Sequence, residues 1–373
     1  MLMRLYADNV RCLVNFEFRP GKLSLLLGPN GGGKSTVLEV LDAVRFLVRG
    51  GQEVSLAFPS QARTSWETRR TQRIELEVAG QGGTYMYVLE IEHDDKALPP
   101  FTIIRSESVT FDGKPLFRFA NSTVFLFKDD HATGPSFPFS PRRSFLASLE
   151  PSSANTRLTW FLQWLDRVWS FKLDPSRLRQ SWLAEREERW LSGNGDNFAA
   201  FYRHVVQEMP DVSSRICSDL KDSFVGIQQV LLRSRGEAKG LMVSFAPPGV
   251  QEHELPFFAL SDGQAMLVAL YVLLHAVAHR ATLLCIDEPD NFVALPEIQP
   301  WLVRLGDVVE SGEGQAILVS HNPEVIDYLA SDSAFLVDSR FPRAATLEIP
   351  RCCAASRSSS PRAAVTTTRP RHR

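Results

Sequence analysis

Two blocks of the chain, one towards each end of the sequence, contain continuous apolar runs that alternate with segments whose apolar residues have helical spacing. The first has the continuous apolar run LSLLLG at 23–28, followed by apolar positions at helical spacing over 35–48. Such a run is typical of a strand buried on both faces, as in a parallel sheet. The second block predicts, in order, helix 264–279, strand 281–287, helix 296–310, strand 315–320, helix 323–330 and strand 334–338. Alternating strands and helices predict an α/β fold whose parallel core sheet is flanked by helices.

The part of the chain between these blocks has two other patterns. Residues 73–128 contain short alternating segments separated by turn residues, which predicts antiparallel strands. From 157 to about 225 the spacing is helical, and SWLAEREERWLSGNG at 181–195 is predicted as a charged amphipathic helix that ends at glycines. We therefore expect an antiparallel β region with loops over 49–130 and a helical insertion or lid over 131–239.

The composition is that of a large globular protein without an overall charge bias. The 373 residues include 41 Lys and Arg against 43 Asp and Glu, and 44% are hydrophobic. Contact with DNA or RNA would therefore need a local basic patch, for which RRTQR at 69–73 and PRR at 141–143 are candidates. Residues 351–373 contain six Arg and no acidic residue, which predicts a disordered basic tail.

No segment of the sequence has the pattern of a membrane span or a secretion signal. The first residues, MLMRLYADNV, lack the apolar core of a signal peptide. The longest apolar stretch, 265–278, is too short to cross a bilayer. The five Cys have no spacing typical of a metal site or a disulfide framework. We expect a cytoplasmic protein without a membrane partner.

The segment GPNGGGKS, from Gly28 to Ser35, matches the phosphate-binding pattern G-x-x-x-x-G-K-[ST]. Its glycines would let consecutive backbone N–H groups surround phosphate oxygens, and the following helix adds a positive end. Lys34 is expected to reach the β- and γ-phosphates of ATP, and Ser35 to bind Mg²⁺. The alternative is a Gly-rich turn with an incidental Lys-Ser pair. The expected nucleotide-binding residues of the loop are Asn30, Gly31, Gly32, Gly33, Lys34, Ser35 and Thr36.

Two later strands end in polar residues. TLLCIDEPDN places Asp287 and Glu288 at the end of an apolar run, where two carboxylates are costly to desolvate unless a cation faces them. Mg²⁺ is the expected partner of Asp287, and Glu288 would then act as general base on the attacking water. ILVSHNPEVIDYL places His321 at another strand tip, where it would contact the γ-phosphate or that water. The alternatives are solvated acids and an ordinary surface histidine; the predicted catalytic residues are Glu288, His321 and Lys34.

The segment LSDGQ at 260–264 precedes the last long apolar helix. Ser261, Asp262 and Gly263 favour a helix start, so on local grounds the segment is a cap. Local signals alone leave open whether it also contacts a ligand.

Together, GPNGGGKS, LSDGQ, IDEPDN and SHNP resemble the ATP-binding-cassette (ABC) ATPase superfamily, and within it the soluble SMC/RecF-like and OLD-type ATPases. The resemblance covers about residues 1–48 and 240–340, and no known motif covers 49–240. It implies a P-loop NTPase head of the ABC type with a mixed sheet, formed by 1–48 and 240–345 as two halves of one core.

The resemblance also implies a site shared between two subunits. In this superfamily the turn equivalent to 260–264 caps the γ-phosphate of ATP bound by the other subunit of a head-to-tail homodimer. Ser261 and Gly263, with Gln264 in the first turn of the following helix, would supply that contact here.

Three other positions follow from the resemblance. Asp290 and Asn291 lie where the family makes contacts across the dimer, and Arg11 lies near a basic residue that borders the nucleotide. A Gln-containing loop that contacts the metal in this family has no convincing counterpart in the sequence, so that position is unassigned.

The leading functional hypothesis is an ATP-driven dimerisation switch that hydrolyses ATP and controls a separate effector, such as a nuclease, in phage defence or DNA maintenance. The nuclease domain of full OLD proteins is not expected after His321. A transporter ATPase subunit is less favoured, because Asp262 replaces the transporter Gly and 227 residues separate Lys34 from Ser261. A DNA-binding repair clamp is the other alternative, and ATP-dependent, salt-sensitive DNA binding would support it.

Overall fold

The computed structural model describes residues 1–322, except 99, 225 and 313, together with the short strands 334–336 and 345–346. The predicted helix 323–330, the end of the predicted strand 334–338 and the tail 351–373 lie outside the described residues.

Within the described residues, strands and helices are numbered in chain order. The strands are β1 Leu2–Asp8, β2 Phe16–Phe18, β3 Leu23–Leu27, β4 Thr71–Gly80, β5 Gly83–Asp94, β6 Phe101–Phe111, β7 Lys114–Ala120, β8 Thr123–Phe127, β9 Thr133–Pro138, β10 Val168–Phe171, β11 Leu183–Ala184, β12 Ile227–Arg235, β13 Ala238–Phe245, β14 His253–Pro256, β15 Leu283–Asp287, β16 Ala316–Val319, β17 Ala334–Leu336 and β18 Ala345–Thr346. The helices are α1 Lys34–Val48, α2 Val54–Ala57, α3 Thr156–Asp166, α4 Pro175–Gln180, α5 Phe198–Glu208, α6 Pro210–Ser223, α7 Asp262–Val272 and α8 Leu295–Ser311.

The core sheet has the strand order β10-β15-β16-β3-β17-β18. Its first five strands pair in parallel, and β18 is antiparallel to β17. The register pairs Ile286 with Leu318 and Leu318 with Leu25, so the carboxyl ends of β15, β16 and β3 meet along one edge. The predicted α/β class with a parallel core is confirmed, and the loops that carry the phosphate-binding pattern, Glu288 and His321 all start from this edge.

Successive residues of the core strands pack against opposite faces of the sheet. In β3, Leu25 and Leu27 belong to the apolar cluster that contains α7 and α8, whereas Leu26 belongs to the cluster that contains α1 and the antiparallel strands. In β15, Leu284 and Cys285 divide in the same way. Because both faces are covered, the sequence of these strands is continuously apolar.

The antiparallel β region is an eight-stranded sheet of order β2-β1-β4-β5-β6-β7-β8-β9. It contains the predicted strands of 73–128 and also β1 and β2 from the start of the chain. The buried side chain of Gln315, just before β16, joins this sheet to the core sheet. Its Oε1 accepts from the Leu2 N–H at 2.9 Å, and its Nε2 donates to the carbonyls of Leu2 at 3.0 Å and Gly21 at 2.6 Å.

The range 131–239, expected as a helical insertion or lid, is helical over part of its length and contributes strands to all three sheets. It contains α3 to α6, but β10 is the edge strand of the core sheet beside β15. β12 pairs with β13, which also pairs with β11 and β14 in a third, antiparallel sheet. Val168 and Phe171 of β10 are buried against the apolar clusters on the two faces of the core sheet. A four-residue strand is too short to display a period that distinguishes it from a helix.

The helix predicted for 181–195 is wrong. Leu183 and Ala184 form β11, which pairs with β13, and the Leu241 N–H donates to the Trp182 carbonyl at 2.8 Å. A charged residue that suggested a helix face makes a tertiary contact instead. Glu188 Oε2 accepts a hydrogen bond from Asn197 Nδ2 at 2.5 Å. Long-range pairing overrides the local helical preference of this segment.

The predicted helix 264–279 consists of α7 and a π-helical turn, Leu273–Ala278, that continues it. All of its residues from Ala265 to Ala278 are buried except His275, which is partly buried, so the helix is a central element of the core. Over the described part of the chain, no helix has the length and apolar character that a bilayer span requires.

Candidate nucleotide-binding site

The loop from Gly28 to Gly33 joins β3 to α1 at the carboxyl edge of the core sheet. Gly28, Gly31 and Gly33 have φ angles of 139°, 77° and 104°, which glycine adopts at little cost. α1 begins at Lys34, directly after the loop, so the first N–H groups of the helix are available to a bound group. The loop therefore has the form of an anion-binding site for phosphate.

The side chain of Lys34 crosses this loop. Its Nζ donates to the carbonyls of Gly28 at 2.8 Å and Pro29 at 2.9 Å. Burial lowers the pKa of Lys34, and the nearby Asp287 and Glu288 partly offset that effect. The ammonium group is thus positioned at the mouth of the loop, where it can exchange carbonyl partners for phosphate oxygens.

Ser35 and Asp287 meet at the carboxyl edge, although they are far apart in sequence. Ser35 Oγ donates to Asp287 Oδ2 at 2.9 Å, and Lys172 Nζ lies 2.9 Å from the same oxygen. Among the described residues, the buried Asp287 Oδ1 has no hydrogen-bond partner. Hydroxyl and carboxylate oxygens are ligands that Mg²⁺ prefers, so Ser35 and Asp287 fit this ion.

Glu288 follows β15 with a φ of 55°, a conformation that is uncommon for a residue with a side chain. Its N–H donates to the Val319 carbonyl at 2.8 Å, which fixes the backbone against β16. Asn291 Nδ2 donates to Glu288 Oε2 at 2.6 Å, and His321 Nε2 lies 3.3 Å from Oε1. The structure thus brings the side chains of Glu288 and His321 into direct contact.

The two residues expected at the dimer contact have different surroundings. Asn291 is exposed, whereas Asp290 is buried and accepts a hydrogen bond from Ser320 Oγ at 2.9 Å. Burial raises the pKa of Asp290. Within one subunit the Asp290 side chain thus connects the segment after β15 to the end of β16, and the contact across a dimer stays a prediction for both residues.

The turn at 260–264 forms a reciprocal cap at the start of α7. Ser261 Oγ accepts from the Gln264 N–H at 3.2 Å, and Gln264 Oε1 accepts from the Ser261 N–H at 3.0 Å. Arg179 of α4 contacts the turn twice, pairing with Asp262 at 2.6 Å and donating to the Leu260 carbonyl at 3.1 Å. The local prediction of a helix cap is confirmed.

The same turn packs closely against the segment after Glu288. A Cβ added to Gly263 would lie 2.5 Å from the Phe292 carbonyl oxygen. Ser261 is exposed, and within the described residues no hydrogen bond or ion pair joins 260–264 to the loop 28–35 of the same chain. The turn and the phosphate loop are therefore not bonded to each other within one subunit.

The remaining predicted residues border the phosphate loop. Asn30 is exposed at its tip, and Thr36 is buried in the first turn of α1 beside Cys12. Arg11 lies next to α1 and pairs with Glu39 at 3.0 Å, with both side chains about half exposed. Arg11 is thus near the loop, but its present partner is a carboxylate of α1.

Residues 23–327 match the family described as "AAA domain, putative AbiEii toxin, Type IV TA system". The chain belongs to this family. The matched residues contain the phosphate-binding loop, the turn 260–264, Glu288 and His321. A stretch of 44 residues is also 46% identical to the OLD nuclease of Thermus scotoductus strain SA-01, and it covers 12% of this chain and 8% of that relative. The chain thus aligns with only a small part of the length of that nuclease.

Two solved structures share the fold of this family member. One is an Smc head bound to the C-terminal winged-helix domain of ScpA, with a TM-score of 0.54, 12% identity and coverage of 93% of this chain and 97% of that one. The other is an Smc head with an extended coiled coil bound to the C-terminal domain of ScpA, from Pyrococcus furiosus, with a TM-score of 0.51, 11% identity and coverage of 92% and 94%. The fold is therefore that of an ABC-type ATPase head, and the resemblance to the SMC and OLD branch is confirmed.

Two residues of the site are absent from the sequence-based predictions. Lys172 reaches Asp287 because β10 is parallel to β15, and Arg179 reaches the turn 260–264 because α4 packs against α7. The short apolar segment VWSF directly before Lys172 is the signal that could have indicated a strand end at the site.

Proposed function

We propose that the protein is an ATP-hydrolysing switch whose active site is completed by a second copy of the chain. The observation that carries this proposal is that the residues at the carboxyl edge and the turn 260–264 form two separate groups within one subunit. Lys34, Ser35, Asp287 and Glu288 gather at the carboxyl edge, whereas Ser261 is exposed in a turn that, among the described residues, forms no hydrogen bond or ion pair with them.

The arrangement of these residues supports a role for each of them. The loop N–H groups and Lys34 would bind the β- and γ-phosphates, and Glu288 would accept the proton of a water that attacks the γ-phosphorus as ADP leaves. His321, which contacts Glu288, would orient that water or the γ-phosphate. Mg²⁺ held by Ser35 and Asp287 would neutralise charge on the phosphates.

The turn 260–264 supports a shared site because Ser261, its exposed residue, lies at the positive end of α7. Ser261 is exposed and already oriented by its reciprocal hydrogen bonds with Gln264. Beside it, Phe292 has an exposed fraction of 62%, so closure of a dimer would remove an apolar side chain from water. A γ-phosphate presented by a second copy would meet the N-terminus of α7 and the Ser261 hydroxyl.

The pathway is proposed from the relatives. The family description names a toxin–antitoxin system and the partial relative is a nuclease, which supports a role beside a separate effector in phage defence or DNA maintenance.

The alternative of a DNA-binding clamp loses support from the candidate patch at 69–73. Arg69 pairs with Asp8, and Arg70 with Asp94 at 3.1 Å. Arg73 pairs with Glu75 at 2.6 Å. Arginines that are already paired with carboxylates offer little charge to a phosphate backbone.

The test is the substitution Glu288→Gln, which removes the base and keeps the shape of the side chain. With ATP and Mg²⁺ this variant is expected to accumulate as a dimer in sizing with light scattering, with little turnover. Ser261→Arg is expected to abolish hydrolysis while leaving ATP binding by its own subunit intact. Glu310→Gln is the matched control, because Glu310 lies at the opposite edge of the sheet, where its carbonyl accepts from Lys22. A Glu288→Gln protein that binds ATP and stays monomeric would refute the shared site.

A further inference from the structure

Lys172 stands at the carboxyl end of β10, the strand next to β15. The parallel register pairs Ser170 with Cys285 and Phe171 with Ile286, which brings Lys172 level with Asp287. β10 belongs to the part of the chain between the phosphate loop and the turn 260–264. Through this strand, that part of the chain brings the Lys172 side chain to Asp287. The resemblance predicts a metal-contacting glutamine from that part of the chain, whereas the structure has an ammonium group.

The contact of Lys172 is with the oxygen that also accepts from the serine of the phosphate loop. Lys172 Nζ and Ser35 Oγ each lie 2.9 Å from Asp287 Oδ2. This ion pair is asymmetric, because the Asp287 side chain is 5% exposed and the Lys172 side chain is 66% exposed. One partner is therefore fixed in the core, and the other is a long side chain largely in solvent.

The backbone of Lys172 is anchored while its side chain can move. Its N–H donates to the Gly193 carbonyl at 2.8 Å, which extends the pairing beyond β10. Because Asp287 Oδ2 also accepts from Ser35 Oγ, Nζ already lies beside the end of the phosphate loop. A lysine carries its charge as a compact ammonium on such a flexible stem.

We propose that Lys172 is the resident counter-ion of Asp287 and exchanges with Mg²⁺ when nucleotide binds, moving from the carboxylate to the phosphates. The proposal rests on the proposed ATP site. A buried carboxylate needs a cation, and two cations repel each other when they share one oxygen. Without nucleotide, Lys172 therefore opposes the divalent ion; with ATP, the negative triphosphate gives Lys172 a new partner and frees Asp287.

The consequence is that a divalent ion should bind poorly to the protein alone. This is measurable without hydrolysis, by electron paramagnetic resonance titration of Mn²⁺ against nucleotide-free protein. Lys172→Met, which removes the charge and keeps much of the apolar stem, is expected to bind Mn²⁺ about tenfold more tightly than the wild type. Lys172→Gln provides a second variant and is expected to show the same direction of change.

The matched control is Lys22→Met, at the opposite end of β3, where Nζ donates to the carbonyl of Glu310. This variant should bind Mn²⁺ as the wild type does. The gain of Lys172→Met should disappear when Asp287→Asn is added, since the ion would then lose its acidic ligand. Equal Mn²⁺ affinity in wild type, Lys172→Met and Lys172→Gln would overturn the proposal.

A second titration separates this proposal from the proposed function. ATP binding in EDTA should weaken about tenfold in Lys172→Met relative to the wild type, because the variant loses a cation that faces the phosphates. Unchanged ATP affinity would overturn the movement to the phosphates. A wild type that binds no ATP would instead refute the proposed function, whereas the Mn²⁺ comparison would still decide whether Lys172 opposes the ion at Asp287.

Discussion

Glu107 of β6 is an ionisable side chain in the core of the antiparallel sheet. It is 1% exposed, and it accepts hydrogen bonds from Ser144 Oγ at 2.8 Å and Tyr87 Oη at 2.9 Å. Burial raises the pKa of Glu107 to about 7 from an ordinary value of 4.5, and the two hydrogen bonds offset only part of this rise. Near neutral pH this carboxyl changes charge inside the protein.

This pKa predicts a stability that falls as pH rises. The folded state keeps the proton of Glu107 while the unfolded state releases it, so the free energy of unfolding should decrease from pH 4.5 to about 7 and level off above that. Each pKa unit corresponds to about 1.4 kcal/mol, so the decrease is on the order of 3 kcal/mol. Urea unfolding of wild type and Glu107→Gln across this range measures the difference. If the free energy of unfolding changed with pH to the same extent in the wild type and in Glu107→Gln, Glu107 would not titrate as inferred.

At the residue scale, the sequence was sufficient where the chemistry is local. Lys34 and Ser35 follow a glycine loop, and Asp287 and Glu288 end an apolar strand, so their types and neighbours could be read directly. Lys172 could not be predicted, because its role depends on which strand lies beside β15. Pairing between distant strands leaves no local pattern in the sequence.

The turn 260–264, as an element, is positioned by two neighbours. Arg179 holds it from α4, and the Phe292 carbonyl lies against Gly263 from the segment after β15. Its own cap fixes the local conformation, but these packing contacts set where the cap points. The turn therefore packs directly against the segment that follows Glu288.

Gly263→Ala should disturb this packing. The added methyl would meet a backbone oxygen at 2.5 Å, so the turn and 291–293 must move apart. We expect hydrolysis to fall roughly tenfold to a hundredfold, as small misplacements of catalytic groups cause, with ATP affinity almost unchanged. Steady-state rates and nucleotide titrations measure the two effects separately.

Gly306→Ala in α8 is the control for a methyl group on a helical glycine. Among the described residues, no heavy atom outside the helix's own backbone and the neighbouring residues lies within 4 Å of the added Cβ, so this change should stabilise the protein by roughly 1 kcal/mol and leave the rate unchanged. Full activity in Gly263→Ala would mean that the position of the turn does not matter for hydrolysis.

At the scale of elements, the sequence predicted the core strands that form clear apolar runs. β3, β15 and β16 are short continuous apolar runs, and all lie close to their predicted positions. The segment 181–195 was misread because its alternation of charged and apolar residues suits a helix, while β13 and α5 provide the partners that decide its structure.

At the scale of the whole molecule, a site made by two copies has a property that no single subunit has. Each composite site would take Lys34 and Glu288 from one copy and Ser261 from the other. In a mixed dimer, one copy can carry a defect in its nucleotide-binding residues and the other copy a defect in its turn. Both defects then lie in the same composite site, and the second site is intact.

Mixing Lys34→Ala with Ser261→Arg should therefore restore hydrolysis, although each variant alone is inactive. In the mixed dimer, the Ser261→Arg copy binds ATP in its own loop and the Lys34→Ala copy offers it an intact turn. The recovered rate should reach up to about a quarter of the wild-type rate, because half of random dimers are mixed and each has one working site. Mixing Lys34→Ala with Glu288→Gln is the control. Both substitutions affect the half of the composite site that binds the nucleotide, so every site in every dimer carries a defect and activity should stay absent. Recovery in neither mixture, with both proteins folded and Ser261→Arg binding ATP, would show that the turn does not act across a dimer.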